Sequence, residues 1–207
     1  MNDTDDPIAE HSASTNRRIV QLCQRYPVTI GVIVVCSLIY LIFQAVPELA
    51  IPALLTQSGE QGTSLYLSFF TASFSHFESS HLVMNLATWL ITAVPVERYR
   101  RADLLILLVI AGVSGNVAQY LVHGGNFLGL SGVVYGLVGY LCWLQYVRKK
   151  LNFGFPNGFF AFFLLYLVIT PFIPLFDWLA HEVHLGGFVA GCVIGVGREL
   201  FLRLDKY

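Results

Sequence analysis

Long apolar runs separated by short charged clusters dominate the hydropathy pattern of this 207-residue chain. Residues 28–46 contain no charged side chain, and 19 helical residues are enough to cross a hydrocarbon core about 30 Å thick. Five further apolar runs follow, so the pattern predicts an all-α membrane protein, a bundle of six transmembrane helices. The predicted spans cover about 28–46, 81–96, 104–122, 127–147, 159–176 and 183–197.

The pattern divides the chain into a membrane domain and two tails. Residues 1–26 are predicted to form a cytoplasmic tail, and its acidic, polar stretch, residues 1–16, is expected to be disordered. This start is not basic and no apolar run follows it at once, which excludes a signal peptide. Residues 27–200 form the predicted membrane domain, and residues 201–207 form a second cytoplasmic tail.

The charges support six crossings. All 12 Lys and Arg residues fall in four clusters: the N-terminal segment, the 2–3 and 4–5 connections, and the C-terminus. Six crossings place these clusters on one side, and the positive-inside rule makes that side, with both termini, cytoplasmic. The composition agrees, with 56% hydrophobic and 12% charged residues. A net charge of −1 argues against a nucleic-acid partner.

Four polar residues are predicted to lie at one depth in the membrane. Spans two, four and six run in the same direction, and each carries a polar residue near its start: His81 and Asn85 in span two, Ser131 about one turn into span four, and His184 in span six. Polar groups are costly to expose to lipid, so these side chains should face the bundle interior and each other.

The spacing of small residues indicates how Ser131 and His184 meet. Glycine recurs at intervals of three or four residues in spans four and six, and helices lined by glycine can approach closely. Such an approach brings Ser131 within reach of His184, and a serine beside a histidine is an activated nucleophile. His81, Asn85 and the Ser131 backbone N–H are candidate donors to the oxyanion of a tetrahedral intermediate.

Several of these residues also have a simpler interpretation. A serine between glycines, as in Gly129-Leu130-Ser131-Gly132, is commonly a packing residue in membrane helices. Three other histidines are interpreted as interface residues, and Asp177 as the N-cap of span six rather than a third catalytic group. The cysteines lack paired spacing and are interpreted as packing thiols. The three histidines are His76, His123 and His181, and the four cysteines are Cys23, Cys36, Cys142 and Cys192.

Three motifs resemble those of the rhomboid intramembrane serine proteases, in particular the compact six-span bacterial type. They are His81-Leu-Val-Met-Asn85, Gly129-Leu130-Ser131-Gly132 with Val-Val-Tyr135, and His184-x-x-Gly187-x-x-x-Gly191. The resemblance implies Ser131 as nucleophile and His184 as general base, without a third acid. It implies His81 and Asn85 as oxyanion donors, Tyr135 as support for the His184 ring, and Glu97 as a structural acid. Gly129 is a further candidate for a supporting role.

The implied reaction is hydrolysis of peptide bonds in or near transmembrane segments of membrane-protein substrates. The implied location is a bacterial inner membrane, where the bilayer and these substrates are the partners, with no cofactor and no metal. The sequence departs from the family at Leu67-Ser68, where many members carry Trp-Arg, and at Val183, where a smaller residue is usual. The first departure concerns the anchoring of the first connection, and the second concerns the packing of span six.

Other functions compete with this interpretation. A catalytically inactive relative that binds membrane clients normally lacks the serine or the histidine, and both are present here. A channel or transporter could use the same polar residues, but none of the predicted spans contains an acidic residue to serve a proton relay. A metal site is disfavoured because only two histidines converge, without a carboxylate or thiolate at that depth.

Overall fold

A computed structural model describes residues 7–46, 63–76, 78–125, 127–149, 151–176 and 179–204 of the chain. Within these ranges the protein is helical and contains no strand. The helices are α1 (Pro7–Arg25), α2 (Pro27–Ala45), α3 (Thr63–Thr71), α4 (Ser79–His123), α5 (Ser131–Leu141), α6 (Asn157–Ile169) and α7 (His181–Leu204).

Three of these helices are long and apolar enough to cross a membrane: α2, α4 and α7. At about 1.5 Å per residue, the 45 residues of α4 would measure about 68 Å, more than twice the hydrocarbon thickness. The backbone leaves helical geometry at Arg100, where φ is −158° and ψ is 107°. The chain therefore turns at Arg100, inside the charged cluster that the sequence placed between spans two and three.

Three shorter apolar segments complete the bundle: Leu65–Phe74, Ser131–Val147 and Asn157–Phe172. The second consists of α5 and a π-helical continuation, Cys142–Val147. The third consists of α6 and a 3-10 turn, Thr170–Phe172. These segments are shorter than a full span, so their length alone does not identify them as crossings.

Helices α5 and α7 pack backbone against backbone, which confirms the close approach predicted from their glycines. A methyl group added to Gly187 would collide with the carbonyl oxygen of Gly132, and one added to Gly191 would collide with that of Gly136. Side chains are thus excluded at these two points, where the helices meet through their peptide groups. Helix α4 packs against both of them, and the three helices form the centre of the domain.

Buried carboxylates join the helices at the end of the bundle that carries the basic clusters. Glu97 of α4 accepts hydrogen bonds from the backbone N–H groups of Val28 and Thr29 at 3.0 and 2.9 Å. It therefore caps the first turn of α2, whose N–H groups have no partner within the helix. The Arg101 side chain completes the set, 3.2 Å from the same carboxylate.

Two further carboxylates tie α7 into this end. Asp103 accepts a hydrogen bond of 2.6 Å from the Tyr140 hydroxyl and lies 3.3 Å from Arg198 of α7. Glu199 of α7 lies 2.8 Å from Arg148, which follows the π-helical segment. Because both carboxylates are buried and paired, the polar groups at this end of the bundle hold the helices in register.

Two predictions from the sequence are wrong. Residues 7–16 belong to α1, which runs from Pro7 to Arg25, rather than to a disordered segment. The hydrogen bonds of a helix form within one segment of the chain, so a polar segment can make them without a buried apolar core. Ser131 is the first residue of α5 rather than a residue one turn inside a span, because a turn at Gly129 precedes it. Asp177, the expected N-cap of span six, lies outside the described residues.

Candidate active site

Ser131 stands at the N-terminus of α5, directly after a turn whose backbone conformation favours glycine. Gly129 has a φ of +107°, which side-chain-bearing residues rarely adopt. Its N–H donates a hydrogen bond of 3.0 Å to the carbonyl of Ala72, which lies in a 3-10 turn after α3. The turn before Ser131 is therefore anchored to the segment that precedes α4.

His184 lies in the first turn of α7 and packs against α5. Its ring stacks on the ring of Tyr135, with centroids 4.5 Å apart and planes inclined by 19°. Tyr135 is one helical turn beyond Ser131, and both rings are buried. The resemblance implies a supporting role for Tyr135, and its ring contacts that of His184.

The glycine contact places Ser131 and His184 on facing helix ends. Gly132 follows Ser131 directly, and Gly187 lies three residues beyond His184. Gly187 contacts the carbonyl of Gly132. Ser131 and His184 form no hydrogen bond with each other in the described ranges of the chain, so the pairing of their side chains stays a prediction. Val183, the departure noted above, packs its side chain against Gly132, where the missing Cβ provides space.

His81 and Asn85, one turn apart on α4, lie beside Gly129. A Cβ added to Gly129 would stand 2.6 Å from Cε1 of His81 and 3.5 Å from Nδ2 of Asn85. Asn85 is buried and His81 is partly buried. The structure thus brings both predicted oxyanion donors to the loop that leads directly into Ser131.

The interpretation of His76 as an interface residue is wrong. His76 is fully buried, and its Nε2 lies 3.3 Å from the backbone N of Leu130 and 3.3 Å from Nδ2 of Asn85. A backbone N–H can only donate, so Nε2 is the acceptor and the ring proton resides on Nδ1. The His76 ring also meets the ring of His81 edge-on, with centroids 5.1 Å apart.

His76 escaped prediction because its partners are not visible in the sequence. It lies in a connection without helical periodicity, and one partner is a backbone group 54 positions further on. One feature of the sequence could have indicated its role: His76 lies in the uncharged stretch from Leu65 to Phe77. A histidine buried in such a stretch is expected to form hydrogen bonds within the protein.

Two further histidines, His123 and His181, lie at the same end of the bundle as the site. His123, at the end of α4, is exposed and its Nε2 lies 3.1 Å from Glu182 at the start of α7. His181 is partly buried, and its Nδ1 lies 3.5 Å from the Thr170 hydroxyl. Neither makes a hydrogen bond to Ser131 or Asn85, so their interpretation as interface residues stays open.

Comparison with known proteins agrees with this geometry. The rhomboid domain family matches residues 63–198, from the start of α3 into the last turns of α7. The chain therefore belongs to the rhomboid family and is an integral membrane protein. The matched segment contains every residue described at the site.

Among curated proteins, the chain is similar to bacterial proteins named rhomboid protease GlpG. It is 33% identical to that of Yersinia enterocolitica over 174 residues, which are 83% of this chain and 62% of the relative. It is 34% identical to that of Serratia proteamaculans over 173 residues, 81% of this chain and 61% of the relative. The chain thus spans about three fifths of the length of these relatives.

Proposed function

We propose that the chain is an intramembrane serine endopeptidase that hydrolyses peptide bonds in or near transmembrane segments of membrane-protein substrates. The observation that carries this proposal is the packing of α5 on α7. The Gly132–Gly187 contact and the Tyr135–His184 stack hold a serine and a histidine at facing helix ends. Membership of the rhomboid family and similarity to proteins named as proteases support the same function.

In the proposed reaction, Ser131 Oγ attacks the scissile carbonyl carbon while His184 accepts the hydroxyl proton. His184 then returns this proton to the leaving amine, which leaves an acyl group on Ser131. Water attacks this ester, with His184 again acting as base, and the serine is regenerated. In this proposal the hydrogen bond between the two side chains forms when substrate is bound, since catalytic hydrogen bonds are often long or unformed in the free enzyme.

The negative charge of the tetrahedral intermediate develops beside Gly129, so Asn85, His81 and the Ser131 N–H are the proposed donors to it. Asn85 has two amide protons, and only one is needed for His76. The other is therefore available to the oxyanion. We assign His76 as a positioning residue, because one ring nitrogen holds both Asn85 and the Leu130 backbone that precedes Ser131.

We further propose that the chain crosses a bacterial inner membrane six times, with both termini in the cytoplasm. The crossings are α2, the two halves of α4, the α5 segment, the α6 segment and α7. Residues 1–26 and 201–207 would be the cytoplasmic tails of a membrane domain at 27–200.

The orientation is tested by cysteine labelling in intact cells with Cys23 replaced by Ser. An impermeant thiol reagent should label Gly59→Cys and not Asn152→Cys, and the opposite pattern would contradict this orientation.

The activity is tested by cleavage of a transmembrane test substrate by the purified protein in liposomes. Ser131→Ala should abolish cleavage and fluorophosphonate labelling while the protein stays folded, because only one hydroxyl is removed. Ser114→Ala, a serine on α4 without an assigned role in the reaction, is the matched control and should keep both. Cleavage that persists in Ser131→Ala would remove Ser131 from the mechanism.

A further inference from the structure

A cavity of about 480 Å³ lies at the basic end of the bundle and shares no residue with the site around Ser131. It lies between the start of α2, the middle of α4 and the loop after the π-helical segment. Its volume falls within the roughly 300–1,000 Å³ of typical small-molecule sites. The walls come from three separate segments of the chain: the bonds of Glu97 join α4 to α2, and the contact of Tyr99 with Phe153 joins α4 to the loop.

The lining of the cavity has an apolar half and a polar half. Val94, Pro95, Leu151 and Phe153 supply the apolar half. On this side the ring of Tyr99 meets that of Phe153 edge-on, with centroids 5.7 Å apart. A ligand that fills the cavity therefore needs an apolar portion.

The polar half contains a cation, Arg98, with Asn152 and two tyrosines. Neighbouring arginines are neutralised within the protein: Arg100 lies 3.3 Å from Asp103, and Arg101 lies 3.2 Å from Glu97. Within the described ranges, Arg98 has no carboxylate within 4.0 Å, although it is only one position from Glu97. Its charge is therefore free to meet an anion from outside the chain.

We propose that this cavity binds an anionic phospholipid of the surrounding bilayer. The headgroup phosphate lies on Arg98, and the first carbons of the acyl chains lie against Val94 and Phe153. Basic pockets between transmembrane helices on the cytoplasmic side are typical sites for anionic headgroups. A free phosphate ion would satisfy Arg98 but would leave the apolar half of the cavity empty, so the lining favours a lipid.

The experiment measures bound lipid by native mass spectrometry, so its result does not depend on proteolysis. The purified protein is equilibrated with equal amounts of phosphatidylglycerol and phosphatidylcholine in detergent. We expect retention of phosphatidylglycerol in preference to phosphatidylcholine. Arg98→Gln should lower that retention about five-fold, since one juxtamembrane cation contributes about this factor to binding.

Two variants make the result specific. Lys149→Gln removes one exposed cation from the same end of the bundle but not from the cavity, and it should leave retention unchanged. Arg98→Lys keeps the charge and should retain most of the lipid. The thermal melting temperature of each variant verifies that it is folded, and Arg98, being exposed, should tolerate both changes.

Three results would overturn the proposal. They are equal retention of the two lipids, an equal loss in Arg98→Gln and Lys149→Gln, and displacement of the lipid by inorganic phosphate alone. The second would indicate diffuse attraction to the basic surface, and the third a small-anion site.

Discussion

Substitution of Gly129 tests the proposed oxyanion site, because the distances from an added Cβ to the neighbouring His81 and Asn85 side chains are known. In Gly129→Ala the new Cβ would stand 2.6 Å from Cε1 of His81. Carbon atoms pack at about 3.5–4.0 Å, so the His81 ring, the Gly129 loop or both must move by about 1 Å. A displacement of that size at a catalytic group costs about 10²-fold in rate.

The same substitution also strains the backbone, and this effect must be separated from the first. A side-chain-bearing residue at such a positive φ costs of order 1–3 kcal/mol. Gly124 provides the control, because its φ is +76° and a Cβ added there meets no atom within 4 Å. Gly124→Ala should therefore lower stability comparably, while kcat per folded molecule stays near that of the unchanged protein.

The assay is cleavage of a transmembrane test substrate in liposomes, with the folded fraction of each variant measured on the same preparation. We expect kcat of Gly129→Ala to fall about 10²-fold, and that of Gly124→Ala to change by less than about two-fold. If both variants lose the same activity per folded molecule, backbone strain explains the loss and the placement of His81 and Asn85 is refuted.

Three further predictions concern the same site. Asn85→Ala should lower kcat by about 10²–10³ with KM nearly unchanged, as measured by steady-state cleavage, whereas a pure packing role would lower stability and spare kcat. His76→Ala should lower kcat, and His76→Gln should restore some of it, because the Gln oxygen can accept from Leu130 and Asn85; equal kcat losses in both variants would contradict a positioning role. Cleavage should decline as pH falls, since protonated His184 cannot accept a proton and free histidine has a pKa of about 6.5. A rate that is flat from about pH 8 to pH 4 would argue against a histidine base.

The sequence predicted those features of the fold that depend on periodicity and charge. The boundaries of α2 agree with the first predicted span within one residue, because an uncharged run between polar flanks has few alternatives in a membrane. The turn at Arg100 was predictable for the same reason, since the charges around it cannot lie in the hydrocarbon core. The glycine spacing likewise predicted the contact of α5 with α7.

What the sequence did not reveal depends on backbone groups and on turns. The start of α5 at Ser131 follows from the positive φ of Gly129, a property that glycine permits but does not impose. His76 binds a backbone N–H that any residue at position 130 would offer, so no pairing of residue types marks the contact. The helical form of residues 7–16 could not be predicted from a composition that equally suits disorder.

The contact of α5 with α7 also bears on when the proposed activity first becomes available during synthesis. Ser131 and His184 are 53 positions apart in the chain, and α6 lies between their helices. Chains emerge from the ribosome N-terminus first, so the nucleophile enters the membrane well before its base. Until α7 docks against the glycines of α5, Ser131 would lack the base that is proposed to activate it. Under the proposed function, other membrane proteins inserted nearby would therefore not be cleaved before synthesis of this chain is complete.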